Sequence, residues 1–412
     1  MEQGRATMLA PACSRLLAKF RLKPARNLEC RSWASAAQAG LAHSKTWPRY
    51  KDVYKGRIML QRLTRRVSGT TVSMWLIGLV ILAVVAYGTY KTLALGKYSL
   101  ANWTDLIIYG VAQGSVYALI ALGYTLVYGI LRMINFAHSE VFMSGPFIGY
   151  FVATSLDQAG FLDRQPVIGL AIVLLVAMLT SLTIAVLLER IAYRPLRRAP
   201  RLVPLITAIG ASFFLQYTFR GLFGSGIKGY PEIEQLKGTW PLAGGVNILK
   251  TQVVVIVAAV IMLAGLYYFV QRTKTGKAMQ AVSEDKDIAA LMGIDVDHII
   301  VVTFAVGGAL AGAAGVLYVL LFRQVHFFMG FIPGIKAFTA AVLGGIGNVV
   351  GAMLGGLVLG IAESLFPNLV LDGLGIPAPY QLKDALAFIL LVLILIFRPT
   401  GILGERLAAK KA

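Results

Sequence analysis

The feature that most constrains this chain is a series of long apolar runs separated by short polar segments. The first run reaches from Trp75 to Leu95. A transmembrane helix needs about 20 predominantly apolar residues, so runs of this kind indicate membrane spans. The other candidate spans are Leu106 to Leu131, Phe136 to Ser155, Val167 to Leu188, Leu202 to Phe223, Val253 to Val270, Ile299 to Phe322 and Ala385 to Phe397. The sequence predicts an all-α polytopic membrane protein.

Two further apolar segments, Ala337 to Ile346 and Val349 to Phe366, precede the last candidate span. The first is short for a full crossing. We expect it to be a re-entrant or broken helix buried in protein, because irregular backbone is not tolerated in contact with lipid. Gly344, Gly345 and Gly347 mark the predicted break. Together the segments predict a bundle of about 8 to 10 transmembrane helices.

The composition excludes several functional classes. Apolar residues make up 57% of the chain and charged residues 14%, whereas about a quarter of the residues are charged in soluble domains. The two cysteines, Cys13 and Cys30, both precede the first run, so the apolar body has no thiol for a disulfide, a metal site or a nucleophile. The sequence has no G-x-x-x-x-G-K-S/T loop and no H-E-x-x-H or G-x-S-x-G motif. We therefore predict no catalytic residues, no cofactor and no metal site.

Positive charge is concentrated before the first run. The first 73 residues hold fifteen Lys and Arg residues against three acidic ones, in a chain of net charge +20. Basic patches attract nucleic acid, but positive charge beside a span typically keeps that end in the cytoplasm, and we favour this interpretation. Two origins fit this Arg-rich segment. It resembles an organelle transit peptide, or it reflects an upstream start site, since Met59 and Met74 lie closer to the span.

Short basic loops predict the orientation of the bundle. The segment from Glu189 to Arg201 carries five arginines against one acid. The loop that follows Arg272 and the C-terminal residues 405–412 are also basic. All three are predicted to be cytoplasmic, which places the Gly-rich loop from Gly224 to Thr251, with Trp240, on the outer side. Both termini then face the cytoplasm.

A polar stretch, Arg272 to Ile300, joins two candidate spans and contains the signals of a short helix. Ser283 is the predicted N-cap, and Gly293 is predicted to end the helix in the left-handed conformation. The helix is expected to run from Glu284 to Met292. Its first residues are acidic, which suits the positive end of the helix dipole.

This predicted helix carries one apolar face. Ile288, Leu291 and Met292 share that face at i, i+3, i+4 spacing. Two interpretations fit the pattern. The face docks into a groove of another protein, or it rests on lipid or on its own bundle as an interfacial helix.

Small residues recur at four-residue spacing, which lets membrane helices approach closely. The pairs are Gly110 and Gly114, Gly308 and Gly312, Gly351 and Gly355, and Gly356 and Gly360. Together they favour a tightly packed bundle. The segments Tyr109 to Tyr128 and Phe304 to Val319 resemble each other weakly, which does not by itself define a repeat.

Four polar residues lie within or beside apolar runs, where such groups are costly unless paired or wetted. They are Asn135, His138, Glu140 and Glu363. A His and a carboxylate two residues apart suit proton transfer or metal binding, but no second His lies nearby at ligand spacing. We interpret the first three as groups that cap helix ends and line a polar passage. Glu363 either reaches a helix end or lines the translocation path.

The order of five segments along the chain resembles that of a known family. They are GVAQGSVYALIALGYTLVYGILRMINFAHSEV, ERIAYRPLR, AVSEDKDIAALMGID, GIKAFTAAVLGGIGNVVGAMLGGLVLGIAE and RPTGILG. Over Trp103 to Gly404 this order resembles the LivH-type permease subunits of high-affinity branched-chain amino-acid ABC importers. One departure is Ser139, where the family usually has glycine, and the added hydroxymethyl group bears on close packing or substrate preference.

The resemblance implies a translocation subunit of the inner membrane that works with partners. These are a second permease, two cytoplasmic ATP-binding subunits that hydrolyse ATP, and an external substrate-binding protein. The short helix becomes a cytoplasmic coupling helix, seated on an ATPase through Glu284, Asp285, Ile288, Ala289, Leu291, Met292 and Gly293. The expected divisions are a basic leader (1–73), an extra transmembrane helix (74–100), a permease domain (101–404) and a cytoplasmic tail (405–412).

Other interpretations stay open at this point. Within the family, a relative that moves urea or short amides has the same architecture. A self-sufficient secondary transporter or channel would need ionisable residues near the middle of the membrane for ion coupling, and apart from Glu363 the sequence offers few. An intramembrane enzyme would need a catalytic constellation, which the sequence does not show.

Overall fold

A computed structural model describes most of the chain after residue 68. The described residues are 69–197, 199–200, 202–242, 246–377, 379–398 and 400–404. The predicted tail and nearly all of the predicted leader lie outside them. The chain divides into a unit of residues 1–75, of which 69–75 are described, and a unit of residues 76–412 that holds the helical bundle.

Helices form the body of the described chain. They are α1 (Gly69–Leu95), α2 (Leu100–Leu131), α3 (His138–Gln158), α4 (Phe161–Arg164), α5 (Pro166–Leu188), α6 (Leu202–Phe223), α7 (Lys250–Arg272), α8 (Lys274–Glu284), α9 (Lys286–Leu291), α10 (Val296–Phe322), α11 (Phe331–Gly344), α12 (Val349–Phe366) and α13 (Lys383–Phe397). Eight helical segments of the described chain are long and apolar enough to cross a membrane. They are α1 from Trp75, α2, α5 with the turns that follow it to Leu196, α6, α7, α10, α12 with the turn that follows it to Leu371, and α13 with the turn that precedes it from Pro379. The prediction of an all-α polytopic membrane protein is confirmed.

The predicted span Phe136 to Ser155 forms a helix of different character. It corresponds to α3, which is not among the eight apolar helices. Its first turn carries Glu140, and its buried residues run from His138 to Phe147 without interruption. Polar residues in membrane proteins usually face the interior of the bundle. A helix enclosed by other helices therefore does not need the apolar composition of a lipid-facing one.

Two central helices, α2 and α10, end in the same way at opposite ends of the bundle. Arg132 closes α2 with φ 54° and Arg323 closes α10 with φ 55°. Each donates its backbone N–H over 2.7 Å to the carbonyl four residues earlier. The two segments that resemble each other weakly in sequence thus lie in helices with matching ends.

The two ends of the bundle are separated by the length of α7, about 35 Å at 1.5 Å per residue. Residues 224–249 precede α7, and we call their side the hairpin end. Residues 273–295 follow α7, and we call their side the coupling end. Arg132 contacts Ser283 and so lies at the coupling end. Arg323 pairs with Glu232 and so lies at the hairpin end.

The predicted glycine pairs all lie in contacts between helices. A Cβ atom built on Gly110 would lie 2.8 Å from the Cα of Ile361, and one on Gly114 would lie 2.9 Å from the Cα of Leu357. The other pairs approach α2 (Gly356 and Gly360), α5 (Gly308 and Gly312) and α11 (Gly351 and Gly355). Glycine thus brings backbones together. The prediction of a tightly packed bundle is confirmed.

The predicted short helix is α11, and it is buried along most of its length. Its 14 residues span about 21 Å at 1.5 Å per residue, less than the roughly 30 Å of a bilayer core. The chain breaks after it, with φ of 108° at Gly345 and 99° at Gly347. The predicted break is confirmed. The helix begins at Phe331 rather than Ala337, so it includes Lys336.

The hairpin end carries short strands. Four are described: β1 (Lys228–Gly229), β2 (Thr239–Leu242), β3 (Val246–Leu249) and β4 (Gln324–Val325). β1 pairs with β4 and β2 with β3, both antiparallel. The pairing of β1 with β4 and the Arg323–Glu232 ion pair fasten the loop before α7 to the end of α10.

The first helix, α1, begins at Gly69, before the predicted start of the span. A Cβ atom built on Gly88 would lie 2.6 Å from the carbonyl oxygen of Val370, so α1 packs closely on the turn after α12, the π-helical segment Pro367–Leu371. Lys97 pairs with Asp372 over 2.8 Å at the same place. The hydrogen bond from the Lys97 ammonium holds the pKa of the Asp372 carboxyl below its usual value.

Candidate functional site

The polar stretch between α7 and α10 folds into two short helices, α8 and α9, rather than one. The predicted helix Glu284 to Met292 is therefore wrong at its start, because Glu284 is the last residue of α8. Ser283 is not an N-cap, since its hydroxyl donates to the Gln280 carbonyl over 2.7 Å. Both residues belong to α8, a helix that was not predicted from the sequence.

Asp285 is the N-cap of α9. Its backbone is extended, with φ −152°, as the N-cap position requires. Its carboxylate accepts the backbone N–H groups of Asp287 at 2.9 Å and Ile288 at 3.1 Å. The predicted end is confirmed. Gly293 has φ 84° and donates its N–H to the Ala290 carbonyl over 3.0 Å.

The apolar face of α9 points away from the bundle. Ile288, Leu291 and Met292 are 59%, 86% and 78% exposed, whereas Ala289 is 3% exposed. A helix resting on its own bundle would bury the larger side chains, because burying a Leu is worth about 1.5–3 kcal/mol. The interpretation in which this face packs on its own chain is therefore wrong. The face is open to lipid or to another protein.

The segments before and after α9 are both tied to the bundle. Arg132, at the end of α2, donates to the carbonyls of Ser283 and Glu284 over 3.4 and 3.5 Å. Arg197 pairs with buried Glu189 and with Asp297 in the first turn of α10. The helix before α9 is held by its buried face, which includes Met279 and Val282. The apolar face of α9 is thus presented on a fixed support.

The surroundings of Lys286 lower the pKa of its ammonium group. Burial lowers the pKa of Lys286, the first residue of α9, and the positive charges of Arg197 and Arg132 lower it further, against the opposing effect of Asp287. Arg132 and Arg197 therefore lie close enough to repel the Lys286 ammonium, while the neighbouring Asp287 attracts it.

Three of the four predicted polar residues gather where α3 begins. Glu140 is fully buried, and its Oε1 accepts from Gln216 of α6 over 2.7 Å and from Ser212 over 3.3 Å. Tyr193 donates to Asn135 over 2.7 Å. The His138 ring meets the edge of Tyr124 at a centroid distance of 4.8 Å. These groups join α3 to α2, α6 and the turn after α5.

The fourth residue, Glu363, lies in a separate cluster. It is 2% exposed, so its carboxylate does not extend to solvent. Lys336 of α11 lies 2.5 Å from its Oε1, and Gln113 of α2 donates to the same atom over 3.1 Å. Lys336 also contacts Asp384 of α13 at 2.6 Å.

The structure therefore places the predicted path residues in two buried clusters, each within the packing of one chain. Asn135, His138, Glu140 and Glu363 are all less than 5% exposed. Their role in a translocation path stays a prediction. Lys336 was not among the predicted site residues, because the predicted short helix began one residue later, at Ala337. The available sequence signal was Glu363, since a carboxylate inside an apolar run needs a partner.

Comparison with known proteins gives a consistent result. A family model described as branched-chain amino acid transport system, permease component, matches residues 106–395. The permease protein BraD of the high-affinity branched-chain amino acid transport system of Pseudomonas aeruginosa is 44% identical over 308 residues, which cover 74% of this chain and 96% of that protein. The corresponding LivH protein of Escherichia coli K12 is 40% identical over 72% of this chain and 94% of that protein. A probable LivH protein of Methanocaldococcus jannaschii is 27% identical over 71% and 90%.

Proposed function

This chain belongs to the family of branched-chain amino-acid transport permease components, and from that premise we propose that it is the translocation subunit of an ATP-driven importer of branched-chain amino acids. In this assembly a second, related permease completes the pathway. Two cytoplasmic subunits bind and hydrolyse ATP, and an external binding protein delivers the substrate. The chain itself is a transport subunit and not an enzyme.

The observation that carries the proposal is the exposed apolar face of α9. Its three large side chains lie on a capped helix whose Ala289 is buried and which follows the Ser283 and Glu284 carbonyls held by Arg132. Such a face is what a groove on an ATP-binding subunit would bury, as in helix-in-groove recognition. We propose Glu284, Asp285, Ile288, Ala289, Leu291, Met292 and Gly293 as the coupling segment, with Ala289 as its attachment to the bundle.

The orientation follows from the same assignment. If α9 meets ATP-binding subunits, the coupling end is cytoplasmic and the hairpin end faces outward. The arginines of residues 189–201 then lie on the cytoplasmic side, as the positive-inside rule requires. We propose an inner-membrane location with both termini cytoplasmic. Residues 101–404 form the permease domain, 74–100 an extra transmembrane helix, 1–73 a leader and 405–412 a tail.

Leu291→Asp tests the proposed coupling contact. It removes a burial worth about 1.5–3 kcal/mol and places an unpaired carboxylate in the interface at a cost of several kcal/mol. Together these weaken the contact by about 10³-fold or more, at about 1.4 kcal/mol per factor of ten. We expect the variant to accumulate in the membrane, to lose co-purification with its ATP-binding subunits, and to lose ATP-driven uptake.

Ala290→Asp is the matched control, because it adds the same charge to an exposed residue of α9 outside the apolar face. We expect this variant to keep both association and uptake. Normal association and uptake in Leu291→Asp would instead revive the interpretation as a channel or secondary transporter. Substrate class is tested separately, by comparing uptake of leucine, isoleucine and valine with uptake of urea and short amides in the reconstituted complex.

A further inference from the structure

The Lys336 ammonium lies where four helices meet in the interior of the bundle. It is 2.5 Å from Glu363 on α12 and 2.6 Å from Asp384 on α13. The hydroxyl of Tyr117 on α2 lies 3.4 Å away, and Gln113 on the same helix bonds to Glu363. Lys336 itself belongs to α11. One side chain thus joins α2, α11, α12 and α13.

The two carboxylates differ in their surroundings. The Glu363 side chain is 1% exposed, whereas that of Asp384 is 43% exposed. Separating Lys336 from Glu363 would leave uncompensated charges inside the bundle, which is strongly unfavourable. Asp384 lies in the first turn of α13 and is partly open to its surroundings, so it can part from Lys336 at a lower cost than Glu363 can. The Lys336–Glu363 pair is the fixed contact, and the Lys336–Asp384 pair is the exchangeable one.

The two helices that carry these carboxylates, α12 and α13, also differ in how tightly they are packed. The α2–α12 contact is built on glycine backbone, as Gly110 against Ile361 shows, so these helices cannot slide past each other without a clash. In α13, by contrast, Leu386 and Ala387 are the buried residues. Its far end is fastened to α11, since Ile402 donates its N–H to the Leu343 carbonyl over 2.8 Å. Lys336–Asp384 is a polar fastening near the start of α13.

We propose that Lys336 is a positioning residue of the transport cycle. It keeps α11 in register with α12 through Glu363, and it holds and releases the start of α13 through Asp384. The start of α13 therefore moves relative to the α2–α12 contact while α11 stays in place. The inference rests on the proposed ATP-driven cycle for the timing of this release, and on the structure alone for the resting contact.

A spin-label distance measurement on the complete complex tests the proposal. Labels at exposed Asn102 of α2 and exposed Gln381, just before α13, report the position of the start of α13. Cys13 and Cys30 are first replaced by serine. We expect a narrow distance distribution without nucleotide and a displaced one in the vanadate-trapped state. Lys336→Met should give one broad distribution in both states and reduce maximal uptake by about tenfold, equivalent to about 1.4 kcal/mol.

Three further variants make the test specific. Lys336→Arg keeps the charge and should restore both the narrow distribution and uptake, which a loss of packing would not allow. Lys383→Met removes the neighbouring ammonium of α13 and should behave as wild type. Asp384→Asn keeps the buried Lys336–Glu363 pair and should broaden the distribution, which keeps the test decisive if Lys336→Met does not accumulate.

Two results would overturn the inference. One is a wild-type distance that is the same in both nucleotide states. The other is a narrow, wild-type distribution in Asp384→Asn. Co-purification of the ATP-binding subunits, measured in the same preparations, reports on the proposed function independently of these distances.

Discussion

Arg132 and Arg323 occupy equivalent positions at opposite ends of the bundle. Both are non-glycine residues with positive φ, and both close a long central helix with the same hydrogen bond. Each guanidinium then fastens a polar segment beyond the helix. Arg132 holds the carbonyls that precede α9, and Arg323 pairs with Glu232 before the hairpin. Each arginine thus links the end of a central helix to a polar segment at its own end of the bundle.

Arg132→Gly is expected to weaken coupling without disturbing the fold. Glycine adopts a φ of 54° more readily than arginine, so the end of α2 is not strained by the change. The lost hydrogen bonds are long and exposed, so we expect a cost of about 1 kcal/mol, or about a fivefold loss of affinity for the ATP-binding subunits. Titrated co-purification measures this loss. Arg323→Gly at the hairpin end should leave that affinity unchanged, and an equal loss in both variants would contradict the local role of Arg132.

The α2–α12 contact predicts a large effect for one methyl group. In Gly360→Ala the new Cβ would overlap the backbone of Gly114, and overpacking of this kind costs about 1–3 kcal/mol. Gly265→Ala in α7 is the matched control, since no atom lies within 4 Å of its Cβ position. We expect a lower midpoint of thermal unfolding in detergent for the first variant and an equal or higher one for the second. Equal midpoints would show that the helices separate easily.

The spans were predictable because membrane crossing requires a run of apolar residues whatever the tertiary packing. The sequence did not reveal how the polar stretch divides into helices. Ser283 and Asp285 are both good N-cap residues, and the choice between them depends on α8, whose buried face includes Val282. Local signals could not establish that burial. Gly293 was predictable, because a helix commonly ends on a residue with positive φ and glycine is preferred there.

Lys336 shows a second limit of the sequence. At the edge of an apolar run a lysine usually extends its ammonium to the membrane surface, so its position alone does not predict a buried ion pair. Its partner Glu363 is 27 positions away on α12, and the pairing depends on how α11 folds back. Each charge alone is unfavourable in the bundle, and the two become compatible only as neighbours.

Cysteine labelling tests the proposed orientation. Arg190 and Trp240 are both exposed, and they lie at the coupling end and the hairpin end. Arg190 is preferred to Arg197, whose ion pairs with Glu189 and Asp297 would be lost on substitution. Single cysteines at these positions, in a background without Cys13 and Cys30, should react with an impermeant thiol reagent from opposite sides. Reaction from the same side would contradict the topology.

The contacts of α1 predict different outcomes for two truncations of the N-terminal part of the chain. Removal of residues before Met74 leaves the contacts of Gly88 and Lys97 in place. We expect uptake and membrane accumulation to stay at the level of the full chain. Loss of either would show that the leader is a targeting or assembly element.

Removal of everything before Leu100 should behave differently, although the family model begins only at residue 106. This truncation deletes α1 and leaves the turn after α12 without its cover, with Asp372 unpaired. Few residues of α1 are buried, so the expected loss is modest, with the thermal midpoint falling by about 2–4 °C for each kcal/mol. Asp372→Asn in the full chain is the matched control for the ion pair. It should reproduce a small part of the loss, because a half-exposed pair contributes about 0–1 kcal/mol. A shortened chain as stable as the full one would mean that α1 only lies beside the bundle.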